Sequence, residues 1–65
     1  MRERRRPKIG QLRQVDHLTH PLHGELYVIL GWDSDAWLVK VSNVNSFSYW
    51  GDDVVSEDPI ISEPE

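Results

Sequence analysis

Two neighbouring stretches of the chain alternate with a period of two. Glu25 to Trp32 places Leu26, Val28, Leu30 and Trp32 on one side, and Tyr27, Ile29 and Gly31 on the other. Ala36 to Val41 places Trp37, Val39 and Val41 opposite Ala36, Leu38 and Lys40. The short polar link Asp33-Ser34-Asp35 joins them, so the pair is expected to form a β-hairpin. Val28, Leu30, Trp37 and Val39 are assigned on this pattern to a common dry interior.

Weaker strands flank the hairpin. Gln11 to Val15 has Leu12 near its start and Val15 at its end, and Ser46 to Trp50 alternates small polar with aromatic residues. Ser42 to Asn45 is a turn by composition. Gly51-Asp52-Asp53 breaks the chain before Val54-Val55, read as a short strand, and Ile60-Ile61 is placed as a last edge strand because Pro59 cannot sit in a sheet centre. No window carries a sustained apolar stripe at helical spacing, so no long helix is expected. The expected fold is all-β: a small barrel of four or five strands over residues 9–61. A basic arm precedes it (1–8) and an acidic tail follows (62–65), both expected to be flexible. An open sheet would leave an apolar face wet, so closure into a barrel is expected.

At 65 residues there is room for one domain only. So short a chain buries about 60% of the surface it exposes when unfolded, which leaves little margin of stability. With no cysteine, neither disulfides nor thiolate metal sites can supply the difference. Docking onto a larger assembly or oligomerisation can. The basic start is not followed by the apolar stretch of a signal peptide, and no run approaches the length of a membrane span. The net charge of −4 is unevenly spread. Six of the seven cations lie in residues 1–13, while residues 14–65 hold Lys40 against ten acids. Such a chain reads as a basic arm on an acidic body.

Few groupings suggest chemistry. His17, His20 and His23, with Asp16 alongside, have the residue types of an open zinc site, but Pro21 interrupts the helix that their spacing would need. An exposed loop that tolerates histidine is the simpler reading, and no metal or cofactor is assigned. Asp33/Asp35 and Asp52/Asp53 sit in turns, where aspartate caps and solubilises. Neither a Gly-x-Ser-x-Gly elbow nor a glycine-rich phosphate loop occurs, and the chain is not expected to be an enzyme. Six aromatic residues are too many for so small an interior. Trp37 and Phe47 are assigned to the core. Tyr27, Ile29, Leu38 and Trp50 are assigned to an outward patch of the kind that forms protein interfaces.

Lys8-Ile9-Gly10-Gln11-Leu12, then Gly24 to Leu30, Ala36 to Val41, and Tyr49 to Val55 together resemble the small SH3-like barrels encoded by tailed bacteriophages, and more distantly KOW-type modules. The resemblance spans residues 8–61 and implies no catalytic residue. It implies an interaction module in the virion or the host cytoplasm, oligomeric within an assembly, with capsid or tail subunits or a host protein as partner. Nucleic-acid-binding members of that group carry cations on the barrel, whereas here only Arg13 and Lys40 fall in expected strands. The leading expectation is a phage accessory protein that docks by its aromatic face and by Arg2, Arg4, Arg5, Arg6 and Lys8. Two alternatives remain: a nucleic-acid accessory that uses the arm on phosphates, and an acidic inhibitor of a host factor.

Overall fold

A computed structural model describes residues 6–64. The elements are β1 (Leu12–Gln14), β2 (Leu26–Asp33), β3 (Ala36–Val41), β4 (Phe47–Trp50), α1 (Asp52–Glu57) and β5 (Ile60–Ser62). They form one antiparallel five-stranded sheet in the order β4-β3-β2-β1-β5, so the last strand returns to pair beside the first. This is the small all-β domain expected from the strand pattern. The expected closure is not formed, because β4 pairs only with β3 and β5 only with β1. The chain between these two short edge strands does not pair. It coils into α1, which covers part of the open side with Val55.

The helix replaces the short strand expected at Val54-Val55. Asp52 and Asp53 occupy its first turn, where the N-terminal end of the helix dipole favours negative charge. Pro59 stops it, since a residue before proline is pushed to extended backbone, and Asp58 has ψ 141°. Val55 and Ser56 are its buried residues.

The hairpin stands as expected, with Tyr27 opposite Val41, Ile29 opposite Val39 and Asp33 opposite Ala36. Its link turns at Ser34, whose φ of +61° is left-handed, and the Asp35 N–H donates to the Asp33 carbonyl (2.7 Å). The inward side of β2 is the reverse of the sequence assignment. Tyr27 and Ile29 are fully buried, Val28 is half-buried and Leu30 is 38% exposed. A register shift between Ile29 and Gly31 then adds one residue to β2, which brings Trp32 opposite Trp37. On β3 the assignment holds: Val39 and Val41 are buried and Trp37 packs against the core. The buried cluster is Val15, Tyr27, Ile29, Val39, Val41 and Val55, flanked by Leu22, Trp37, Val44 and Trp50. Of the four residues assigned to the interior, Val39 is fully enclosed, Trp37 packs at its edge, and Val28 and Leu30 lie outside it.

Both ends of the described chain are tied to the sheet. Gly10 adopts φ +92° in a turn closed by the Gln11 N–H on the Lys8 carbonyl (3.1 Å), and its own N–H donates to Ile29 (2.7 Å). A Cβ at Gly10 would lie 3.1 Å from Pro64 Cβ. β5 runs on to Ser62, and Glu63 accepts from the Gln11 amide at 2.6 Å. Pro7 is buried, while Arg6 and Lys8 are exposed; Arg2, Arg4 and Arg5 of the expected arm lie outside the described residues.

Candidate functional site

Below the sheet, the titratable groups are committed to structure. Gln11, Arg13 and Val15 alternate inward from β1 and its flanks, and all three are buried. The Arg13 guanidinium donates to Gln11 Oε1 (2.6 Å) and to the backbone carbonyls of Val55 (2.6 Å) and Asp58 (2.9 Å). It thereby supplies positive charge at the C-terminal end of α1, whose last turn has no basic residue. Asp58, also buried, accepts from the Tyr27 hydroxyl (2.5 Å) and from the Asp16 N–H (3.1 Å). Burial pushes the Asp58 carboxyl above its usual range, against the opposing effects of the Tyr27 hydrogen bond and the charges of His17, Arg13 and His20. Burial and the Asp58 contact likewise raise the Tyr27 phenol far above its ordinary value. These groups join β1, β2 and α1 in one network.

The histidines lie on the β1–β2 loop in successive turns, with the His20 N–H on the His17 carbonyl (3.0 Å) and the His23 N–H on that of His20 (3.1 Å). His20 Nδ1 accepts from the Leu22 N–H (3.0 Å), and its ring meets Trp50 edge-on at 5.2 Å. The buried His17 Nε2 has no hydrogen-bond partner among the described residues. Among these residues, no three His, Asp or Glu side chains are grouped to hold a metal.

The outward patch is not made of the residues assigned to it. Tyr27 and Ile29 are in the core, and Trp50 packs beside them, edge-on to Tyr27 at 4.7 Å. Leu38 alone keeps the outward position, half-buried and paired with Tyr49. The exposed aromatics are instead Phe47 (64%), Tyr49 (59%) and Trp32 (49%). Phe47 was assigned to the interior, but β4 turns Ser48 and Trp50 inward and leaves Phe47 and Tyr49 facing out. Sequence alternation defines the two sides of β4 without saying which is buried. The signal that decides it is the pairing of Phe47 with Lys40, since the charged residue of β3 marks the solvent side.

Phe47 and Tyr49 lie on β4 at one edge of the sheet, whereas Trp32 lies on β2, paired with the core-packed Trp37 on the inward side. β4 is an edge strand, and from Asn45 to Gly51 it carries no charge and no proline. Those are the usual devices that keep an unpaired edge from accepting another chain. The opposite edge has them: Pro59 and Pro64 bracket β5, and Glu63 follows it. Beyond the C-terminal end of β4, Asp52 accepts from Trp37 Nε1 at 3.0 Å. Trp37 stands between Trp50, its partner on β4, and Trp32, whose ring it meets at 4.8 Å. Asp33 and Asp35 lie at the hairpin tip beside this row, and Asp53 follows Asp52. Two cations of the described chain are withdrawn from this surface: Arg13 is buried, and the Lys40 ammonium is bonded to the carbonyls of Val41 and Val44. The margin is thus an unprotected strand flanked by aromatic side chains and carboxylates.

No helix among the described residues is long and apolar enough to cross a membrane. Compared with known proteins, the chain matches no family model, no curated protein and no solved structure.

Proposed function

We propose that this chain is a non-catalytic protein-interaction module whose docking element is the outer margin of β4, and, on its resemblance to small phage barrels, a virion-associated accessory of a tailed phage. The observation that carries the reading is the pairing of two features on one strand. Phe47 and Tyr49 are largely exposed, and the strand bearing them is an edge without charge or proline. Large exposed aromatics at an unpaired edge are well suited to strand addition, in which main-chain hydrogen bonds supply affinity and alternate side chains supply specificity. A small domain that presents such an edge gains stability from the assembly it joins. The buried polar groups fit a non-catalytic role, because Asp58, Tyr27, Arg13 and Gln11 serve as one another's partners in holding α1 to the sheet.

The test is site-specific photo-crosslinking in the native source. A benzophenone side chain replaces Tyr49 in one preparation and the 85% exposed Leu18 in a control. The expected result is a discrete adduct with a virion or host protein from position 49 and none from position 18. Adducts from the loop position alone, or none from either, would overturn the proposal.

A further inference from the structure

We infer that the β4 margin takes a cationic extended segment of a partner protein, one that alternates Lys or Arg with apolar residues. This rests on the docking role of β4 proposed above and names the chemistry of what docks there. Residues 14–65 hold ten acids and one cation, and that cation, Lys40, is held by two backbone carbonyls. Asp52, which accepts from Trp37 Nε1, and Asp53 follow the strand after Gly51, and Asp33 and Asp35 stand at the hairpin tip beside Trp32 and Trp37. A segment lying along β4 therefore meets carboxylates at one end and aromatic side chains along its length. Lysine and arginine suit both, pairing with carboxylates and resting on the faces of Tyr and Trp rings. An acidic or phosphorylated segment would meet repulsion at the same margin.

A second copy of this chain is the competing occupant, and two observations count against it. β4 has four residues, so pairing two such edges gives far less contact than the roughly 1,000 Å² of a stable specific interface. The acidic stretches of two copies, each with ten acids against one cation over residues 14–65, would also be brought together. A partner of opposite charge avoids the second obstacle and can extend past the ends of β4 to escape the first.

The experiment is an amide-shift titration of the full chain by NMR with three short synthetic peptides. One alternates valine with lysine and arginine, one replaces the cations with glutamate, and one replaces them with serine. The cationic peptide is expected to shift amides of residues 45–51 and to bind about tenfold more tightly than the serine peptide. Raising salt from about 0.05 to about 0.5 M should weaken it several-fold. Tyr49→Lys, a change at an exposed position, should abolish the shifts with the fold intact. If all three peptides shift the same β4 amides equally, the charge inference fails while the docking edge stands. If the cationic peptide binds elsewhere, or none binds, both fail. Concentration-dependent shifts at β4 without peptide would identify a second copy as the occupant and overturn the inference.

Discussion

Replacing Arg13 by methionine should come close to unfolding the protein. The side chain is fully buried and satisfies Gln11 Oε1 and the carbonyls of Val55 and Asp58, which lie 42 and 45 residues away along the chain. Methionine approximates the volume of the aliphatic stem and supplies no donor. Gln11 Oε1 and the Asp58 carbonyl then remain buried without that partner, at about 1–3 kcal/mol apiece, while the Val55 carbonyl keeps the Asp58 N–H at 3.2 Å. Removing one member of a buried charged network costs about 3–5 kcal/mol in all. A chain of this length has a total stability of about 3–10 kcal/mol, so the loss is comparable to the whole. Urea unfolding followed by the fluorescence of the three tryptophans measures it, with a slope of about 1 kcal/mol per M expected at this size. Arg13→Lys keeps the charge but lacks the planar fork that reaches several acceptors, and should fall between the two. Adding Asp58→Asn to Arg13→Met should cost less than the sum of the single changes, because the two side chains interact electrostatically. An Arg13→Met protein within about 0.5 kcal/mol of the parent would refute the view that this network pins α1 to the sheet.

Two further outcomes follow from particular positions. Ser34→Gly should raise stability by about 0.5 kcal/mol in the same urea assay, since the left-handed φ of +61° is strained for a residue with a Cβ; a loss would mean that the hydroxyl compensates for the strain. Asp58 sets a pH dependence. Its folded pKa lies above the unfolded value, so its contribution is complete below the unfolded pKa and is lost as pH rises through the folded one. From about pH 4 to about pH 7 the parent should lose stability relative to Asp58→Asn, and a relative gain would contradict the placement of this carboxyl.

The hairpin was legible because two alternating stretches met at a link only a few polar residues long. Which side of it faces inward was not, because β2 carries large apolar residues on both sides: Leu26, Val28 and Leu30 on one, Tyr27 and Ile29 on the other. The register shift after Ile29 then moves Trp32 across, and no local pattern announces it. β4 misled for a related reason. Its inward positions are Ser48 and Trp50, so a small polar residue lies on the inner side while Phe47 faces solvent. The polar network was hidden by distance, since Arg13 and Gln11 look like ordinary surface residues of a weak strand until Tyr27, Val55 and Asp58 are brought beside them. For α1, two aspartates after Gly51 and a proline seven residues beyond Asp52 mark a helix start and stop that the two valines obscured. The aromatic excess did point to an exposed surface, but the residues that form it are Phe47 and Tyr49 rather than Tyr27, Ile29 and Trp50, with Trp32 exposed on the other side of the sheet.

Hydrogen exchange of the individual β4 amides, in a dilute solution of the 65-residue chain without partner, tests most directly whether this margin is open. Alternate amides of Phe47–Trp50 should exchange rapidly, because they face away from β3, while those of β3 itself should be strongly protected. Uniform protection along β4 at every dilution would show the edge already covered, and would contradict the claim that it is there to receive a partner.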